Sequence, residues 1–141
     1  MPFVLDASTA LAWHFEDESS DAAEEIAERS FVDQVVVPHH WFIEVASAVL
    51  KGERRDRTDA AASAWFFDRL RALEAEVDVL GPEGMFGLVP LARAHRLSIY
   101  DAAYLELAER RGLPLATFDE PLALAARSVG VEVIGGERKF K

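Results

Sequence analysis

Cysteine is absent, cations are scarce, and no long apolar run occurs: 15 Lys and Arg face 25 Asp and Glu in 141 residues. Without cysteine there are no disulfides, no thiolate nucleophile and no cysteine-based zinc site, which fits a reducing compartment. Nothing approaches the roughly 20 apolar residues of a membrane span. The start, Met1-Pro2-Phe3-Val4-Leu5-Asp6, has neither the basic region nor the apolar length of a secretion signal, so a cytoplasmic location is expected. Histidine is sparse too. His14, His39, His40 and His95 form no helical pair of the kind that binds zinc, and adjacent His39 and His40 read as loop residues.

The net charge of -10 argues against a protein that grips nucleic acid over its whole surface, since phosphate needs local Lys and Arg. The charges are unevenly spread, with seven carboxylates from Glu16 to Glu28 before the first cation, Arg29. Cations cluster at Lys51, Arg54, Arg55 and Arg57, at Arg69 and Arg71, at Arg93 and Arg96, at Arg110 and Arg111, and in a tail with Arg138, Lys139 and Lys141. Each cluster alone reads as a solvated helix end, yet some must meet the substrate if that substrate is RNA. Half of the residues are hydrophobic and 28% are charged, a globular composition with no repeat or low-complexity stretch. The expectation is one domain over residues 1–141, long enough to bury about two thirds of its unfolded surface.

Apolar runs and helical periodicities alternate. Phe3 to Leu5 reads as a strand, and Asp6 or Ser8 can cap a helix reaching Trp13. A helix over Ser20–Arg29 precedes a second strand, Val35–Val37. His40 to Lys51 reads as a helix apolar nearly all round, hence central, and ended by Gly52. Ala62, Phe66, Leu70 and Leu73 give the inner stripe of a helix opening near Thr58. A third strand spans Val77–Leu80, and a helix from about Glu83 to His95 carries Pro90 as its expected break. Ser98 opens a helix to Arg111 stopped by Gly112, and strands at Leu113–Thr117 and Val131–Ile134 flank a helix from Asp119 to Val129. Continuously apolar strands joined by helices predict an α/β fold: a central, mainly parallel five-stranded sheet flanked by helices in three layers.

Ligands of such sheets bind at the carboxyl ends of the strands. Asp6 closes the first strand, Asp119 follows the fourth, and Asp101 opens the helix that leads into it. Each has a structural reading. Asp6 and Asp119 can cap helices, and Asp101 stands at capping-box spacing from Ser98. Glu44 resists that reading. It lies amid Trp41, Phe42, Ile43, Val45, Ala46 and Ala48 with no Lys or Arg one turn away, and an unpaired buried acid is destabilising. One site for a hard cation accounts for all four more economically: Mg²⁺ and Mn²⁺ take oxygen ligands from a few carboxylates and can activate water at a phosphodiester.

The stretches Val4-Leu5-Asp6-Ala7-Ser8, Pro38 to Val49 around Glu44, Leu97 to Ala108 around Asp101, and Ala116-Thr117-Phe118-Asp119 with Gly130 to Gly135 resemble, in order and over the whole chain, PIN-domain proteins of the VapC-like toxin type. The resemblance implies a PIN-like fold and a Mg²⁺- or Mn²⁺-dependent endoribonuclease, the toxin of a toxin–antitoxin pair. By motif position, Asp6, Glu44, Asp101 and Asp119 match the family's catalytic, metal-binding acids, and Ser8 and Thr117 its supporting hydroxyls. Some relatives carry a further acid near the last site; Glu120, adjacent to Asp119, points its side chain elsewhere. The implied partners are RNA, a VapB-like antitoxin and a second copy of the chain, with Trp65-Phe66-Phe67 as spare aromatic surface. An antitoxin segment would lay Arg or Lys near the acids and apolar residues beside Trp13 or Trp41. Two other classes compete. An aspartyl-phosphate phosphatase needs an acid where Ser8 stands. A receiver-like module needs an adjacent acid pair after the first strand and a Lys after the last, where this chain has a lone Asp6 and Gly135-Gly136; a degenerate PIN binding module would lack ligands, whereas all four acids are present.

Overall fold

The computed structural model describes residues 1–135, so the basic tail with Arg138, Lys139 and Lys141 lies outside the described residues. Five short strands, β1 (Phe3–Leu5), β2 (Val35–Pro38), β3 (Glu76–Asp78), β4 (Leu115–Ala116) and β5 (Val133–Ile134), form one sheet in the order β3-β2-β1-β4-β5. All four pairings are parallel, with Val4 opposite both Val36 and Leu115. Parallel neighbours need crossovers, and eight helices supply them: α1 (Ala7–Leu11), α2 (Asp21–Ser30), α3 (Trp41–Arg54), α4 (Ala60–Arg71), α5 (Pro82–Phe86), α6 (Leu88–His95), α7 (Ile99–Arg111) and α8 (Glu120–Ser128). Every residue of β1, β2 and β4 is buried, which is why these strands are apolar without alternation.

The helices open on the caps their sequences provide. Ser20, Asp59 and Ser98 side chains accept the amide N–H of Ala23, Ala62 and Asp101, and Gly112 ends α7 at φ 63°. Elsewhere the structure departs from expectation. α3 is not central: Trp41, Val45 and Val49 face inward, whereas Phe42, Leu50 and above all Ile43, 73% exposed, face out. Gly52 does not end α3 but lies inside it, and the position takes glycine because a β-carbon there would stand 2.6 Å from the Phe15 ring. In α4 the buried position is Ser63 rather than Ala62; its hydroxyl bonds Glu53 and the Asp59 carbonyl and so tolerates burial.

β3 begins one residue early and is largely exposed, as befits an edge strand carrying Glu76 and Asp78. Arg110 and Arg111 of α7 reach across to those two acids. The expected helix break falls at Gly87, which separates α5 from α6, while Pro90 fits the first turn of α6, where its missing N–H is no loss. Of the aromatic triplet in α4, Phe66 is core, Phe67 packs against it, and Trp65 is 70% exposed. No helix of the described residues is long and apolar enough to cross a membrane.

Candidate active site

β1 and β4 are neighbours in register, Leu5 opposite Ala116, so the residues that follow them, Asp6 and Thr117, emerge side by side at the carboxyl edge of the sheet. The Asp6 N–H donates to the Ala116 carbonyl at 3.0 Å, fixing the strand end. Two helix starts face the same edge: the first turn of α7 supplies Asp101, and the first turn of α3 supplies Glu44.

Asp6 is 3% exposed and surrounded by hydroxyls. Ser8 Oγ and Thr117 Oγ1 each donate to its Oδ2 at 2.8 Å, and the Ser8 N–H approaches Oδ1 at 3.3 Å. Thr117 Oγ1 also accepts the Asp119 N–H at 3.0 Å, so one hydroxyl joins the Asp6 side chain to the Asp119 backbone. Asp6 therefore does cap α1, as its sequence position allows, but that role leaves it buried. Burial pushes its carboxyl from the ordinary 3.8 up to about 6; the hydroxyl and amide donors oppose the rise, and Asp101 adds slightly to it.

That shift has a stability consequence with a definite sign. A carboxyl raised in the folded state favours folding when protonated; the contribution is complete below pH 3.8 and is lost as pH rises through about 6. In chelator, wild type is expected to lose on the order of 2–3 kcal/mol relative to Asp6→Asn between pH 4 and 7. Urea unfolding of both proteins across that range measures the difference. Parallel stability curves would mean that Asp6 is solvated in the native state.

The remaining acids share the field. The Asp101 carboxyl is raised first by burial, then by the charges of Asp119 and Glu44, with Ser98 and His40 pulling the other way. Asp119 occupies the cap position of α8 without capping it through its side chain, so its carboxylate is not spent on the helix. Glu44 is not the enclosed acid the sequence suggests: its side chain is 30% exposed at the rim. Its partners are Tyr104, whose hydroxyl donates to Oε1 at 3.0 Å, and His40, whose Nε2 stands 2.7 Å from the same oxygen without hydrogen-bond alignment. Tyr104 is fully buried and also accepts the Ala7 N–H at 3.3 Å. Burial, then Asp6 and Glu44, hold its phenol well above the usual range, so it stays a donor. Sequence reasoning missed both Tyr104 and His40. The i, i+4 spacing of His40 to Glu44 was a usable signal for the second.

Among the described residues no three Asp, Glu or His side chains close into a ready ligand shell. What fits a hard divalent cation is the donor set itself: oxygen ligands only, and mutually repelling carboxylates, one of them enclosed among neutral donors. Glu120 lines a separate hollow with His95 and Leu124 and stays out of the cluster. Trp41 is wholly enclosed, whereas Trp13 is half-buried, donating its N–H to the Ala23 carbonyl beneath the Arg69 guanidinium. Arg57, Arg71, Arg110 and Arg111 are held by acids, whereas Lys51, Arg54, Arg55, Arg93 and Arg96 have no acid within ion-pair distance among the described residues.

Comparison with known proteins bears on this arrangement. The family model described as PIN domain matches residues 3–128. Ribonuclease VapC3 of Pyrobaculum aerophilum is 33% identical over 132 residues, which span 87% of this chain and 93% of that protein. The crystal structure of PAE2754 from the same organism aligns with a TM-score of 0.72 at 26% identity, covering 95% of this chain and 84% of the other.

Proposed function

The chain belongs to the PIN-domain family, and from that premise and its clustered acids we propose that it is an endoribonuclease, the toxin of a toxin–antitoxin pair. The observation that carries the reading is the gathering of Asp6, Glu44, Asp101 and Asp119 at the carboxyl edge of β1 and β4 in a chain similar to a VapC ribonuclease. Dependence on divalent metal ions is general in this family; Mg²⁺, with Mn²⁺ as substitute, is the ion its oxygen ligands favour here. Asp6, Asp101, Asp119 and Glu44 would hold it, and once bound it supplies an activated water and neutralises charge on the phosphate.

The chain's own groups do the rest. Ser8 and Thr117 fix the rotamer of Asp6 through two 2.8 Å bonds, and Tyr104 anchors Glu44 at the rim. A carboxylate of the cluster would orient the attacking water and take its proton as the new O–P bond forms, while the P–O bond to the leaving oxygen breaks and that oxygen takes a proton from solvent. Lys51, Arg54, Arg55, Arg93 and Arg96, which have no acid partner among the described residues, are cations available to RNA phosphates. A VapB-like antitoxin would inhibit by placing an Arg or Lys against the acids, where a guanidinium can bind a carboxylate with two bonds.

RNA from cells briefly expressing the chain is expected to gain discrete new ends, to gain none with Asp101→Asn, and to be spared when the cognate antitoxin is co-expressed. An unchanged RNA profile with wild-type protein present would sink the reading.

A further inference from the structure

α3 opens at the acids, with Glu44 in its first turn, and runs away from them into the basic run Lys51, Arg54, Arg55 and Arg57. Lys51 and Arg55 stand at i+7 and i+11 from Glu44. At 3.6 residues per turn both fall within about 20° of Glu44 around the helix, roughly 10 and 17 Å along its axis. One line on the surface therefore carries Glu44, Lys51 and Arg55, and Arg54 points about 80° away from it. All three of these cations are exposed.

The line is clear of bulk and of competing charge. Between Glu44 and Lys51 it is flanked by Ser47 and Ala48, small side chains over which an extended strand can lie close to the helix. The one acid of α3 after Glu44 is Glu53, which accepts the Ser63 hydroxyl of α4 at 2.8 Å on the side of the helix opposite the line. Arg57 is drawn off to Asp17 and Glu18. Arg29, Arg71, Arg110 and Arg111 likewise meet acids, whereas Lys51, Arg54 and Arg55 have none within ion-pair distance among the described residues. The negative end of a helix attracts cations to its last turn, but on every side alike, so it does not select the line through Glu44. In a chain of net charge -10, unpaired cations spaced along one line from the acids fit a polyanion with regularly repeated charge.

Resting on the ribonuclease reading above, we infer that single-stranded RNA leaves the cut phosphate along this line of α3, with Lys51 and then Arg55 each neutralising one backbone phosphate. Contacts of this kind hold the flanking strand in place and carry no base preference. They also have a salt signature: each phosphate neutralised on a single strand contributes roughly 0.7 to the slope of log affinity against log salt concentration.

The test uses intact protein, its Lys51→Gln, Arg55→Gln and Arg54→Gln variants, and fluorescein-labelled uridine trimers and nonamers. Binding is read by fluorescence anisotropy in EDTA across a range of salt, and cleavage separately with Mg²⁺ or Mn²⁺. Lys51→Gln and Arg55→Gln should each lower the salt slope for the nonamer by roughly 0.7, and the double variant by about 1.4. An adenosine nonamer should show the same losses, and Arg54→Gln should leave the slope at the wild-type value. In cleavage, the double variant should raise KM for the nonamer roughly tenfold at unchanged kcat, and leave the trimer, which does not reach along the helix, as it was. No nonamer binding by wild type, or an unchanged slope in either Lys51→Gln or Arg55→Gln, overturns the inference. An equal loss in Arg54→Gln does so too, because it would mean a diffuse positive field rather than a track. Unchanged slopes together with weaker capture of the co-expressed antitoxin would overturn it in favour of a protein partner on this face. The expected slopes without cleavage in either metal would instead remove the ribonuclease reading and leave the track standing.

Discussion

Asp6→Asn and Asp101→Asn are each expected to lower RNA cleavage by roughly 10³-fold, about 4 kcal/mol of barrier, while the fold is retained. Either change removes one negative charge from a cluster whose members already raise one another's carboxyls, so the cation affinity falls while the apo protein gains stability. Loss of activity together with an equal or higher unfolding midpoint is the signature that separates a site residue from a structural one. Asn is nearly isosteric with Asp, so at position 6 the two hydroxyl donors keep an acceptor. Single-turnover cleavage of a labelled RNA, with urea unfolding of the same samples, measures both quantities. Wild-type rates in Asp101→Asn would remove the proposed site.

Chelation should have an effect just as large. With EDTA in excess, cleavage should fall to background, and Mg²⁺ or Mn²⁺ should restore it, whereas thiol reagents leave it unchanged because the chain has no cysteine. The same cations should raise the melting temperature by selective binding to the native state, about 2.7 kcal/mol at a hundredfold excess over Kd. That increment should vanish in the double variant Asp6→Asn/Asp101→Asn. Full cleavage in EDTA, or equal thermal shifts in wild type and the double variant, would contradict a carboxylate metal site.

Where local chemistry decided the structure, the sequence was legible. The apolar runs of β1, β2 and β4, the helix start at Ser98, and the stop at Gly112 depend on neighbours a few residues away. Misreadings arose where distant parts of the chain decide. Gly52 reads locally as a helix stop, but its lack of a side chain serves the Phe15 ring. α3 is apolar on several faces, and sequence alone does not distinguish a face turned to the core from one, like Ile43 and Phe42, left on the surface. Ser63 is buried because Glu53, ten residues back, receives its hydroxyl. The placement of Asp6 and Asp119 after strands and of Asp101 at a helix start was readable from local pattern, whereas the supporting role of Ser8 and Thr117 rested only on the family resemblance. Tyr104 was not readable: its partners, Glu44 and Ala7, lie 60 and 97 residues away. Glu44 was read as enclosed because its surroundings in sequence are apolar, yet its helix presents it at the rim beside an imidazole.

The hydroxyls around Asp6 also decide which of its lone pairs is left. An ionised carboxylate offers about four acceptor positions, two on each oxygen. Ser8 and Thr117 fill both on Oδ2, and the Ser8 N–H takes one on Oδ1 at the longer 3.3 Å, so a single position on Oδ1 stays open. A proton and a cation must then compete for the same position. On the proposed reading, cation uptake near pH 6 would displace a proton from Asp6, and affinity for the ion is expected to weaken as the solution becomes more acidic than that. Two small hydroxyl side chains and one backbone N–H thus leave a buried acid with a single open acceptor position, for which a proton and the proposed metal would compete.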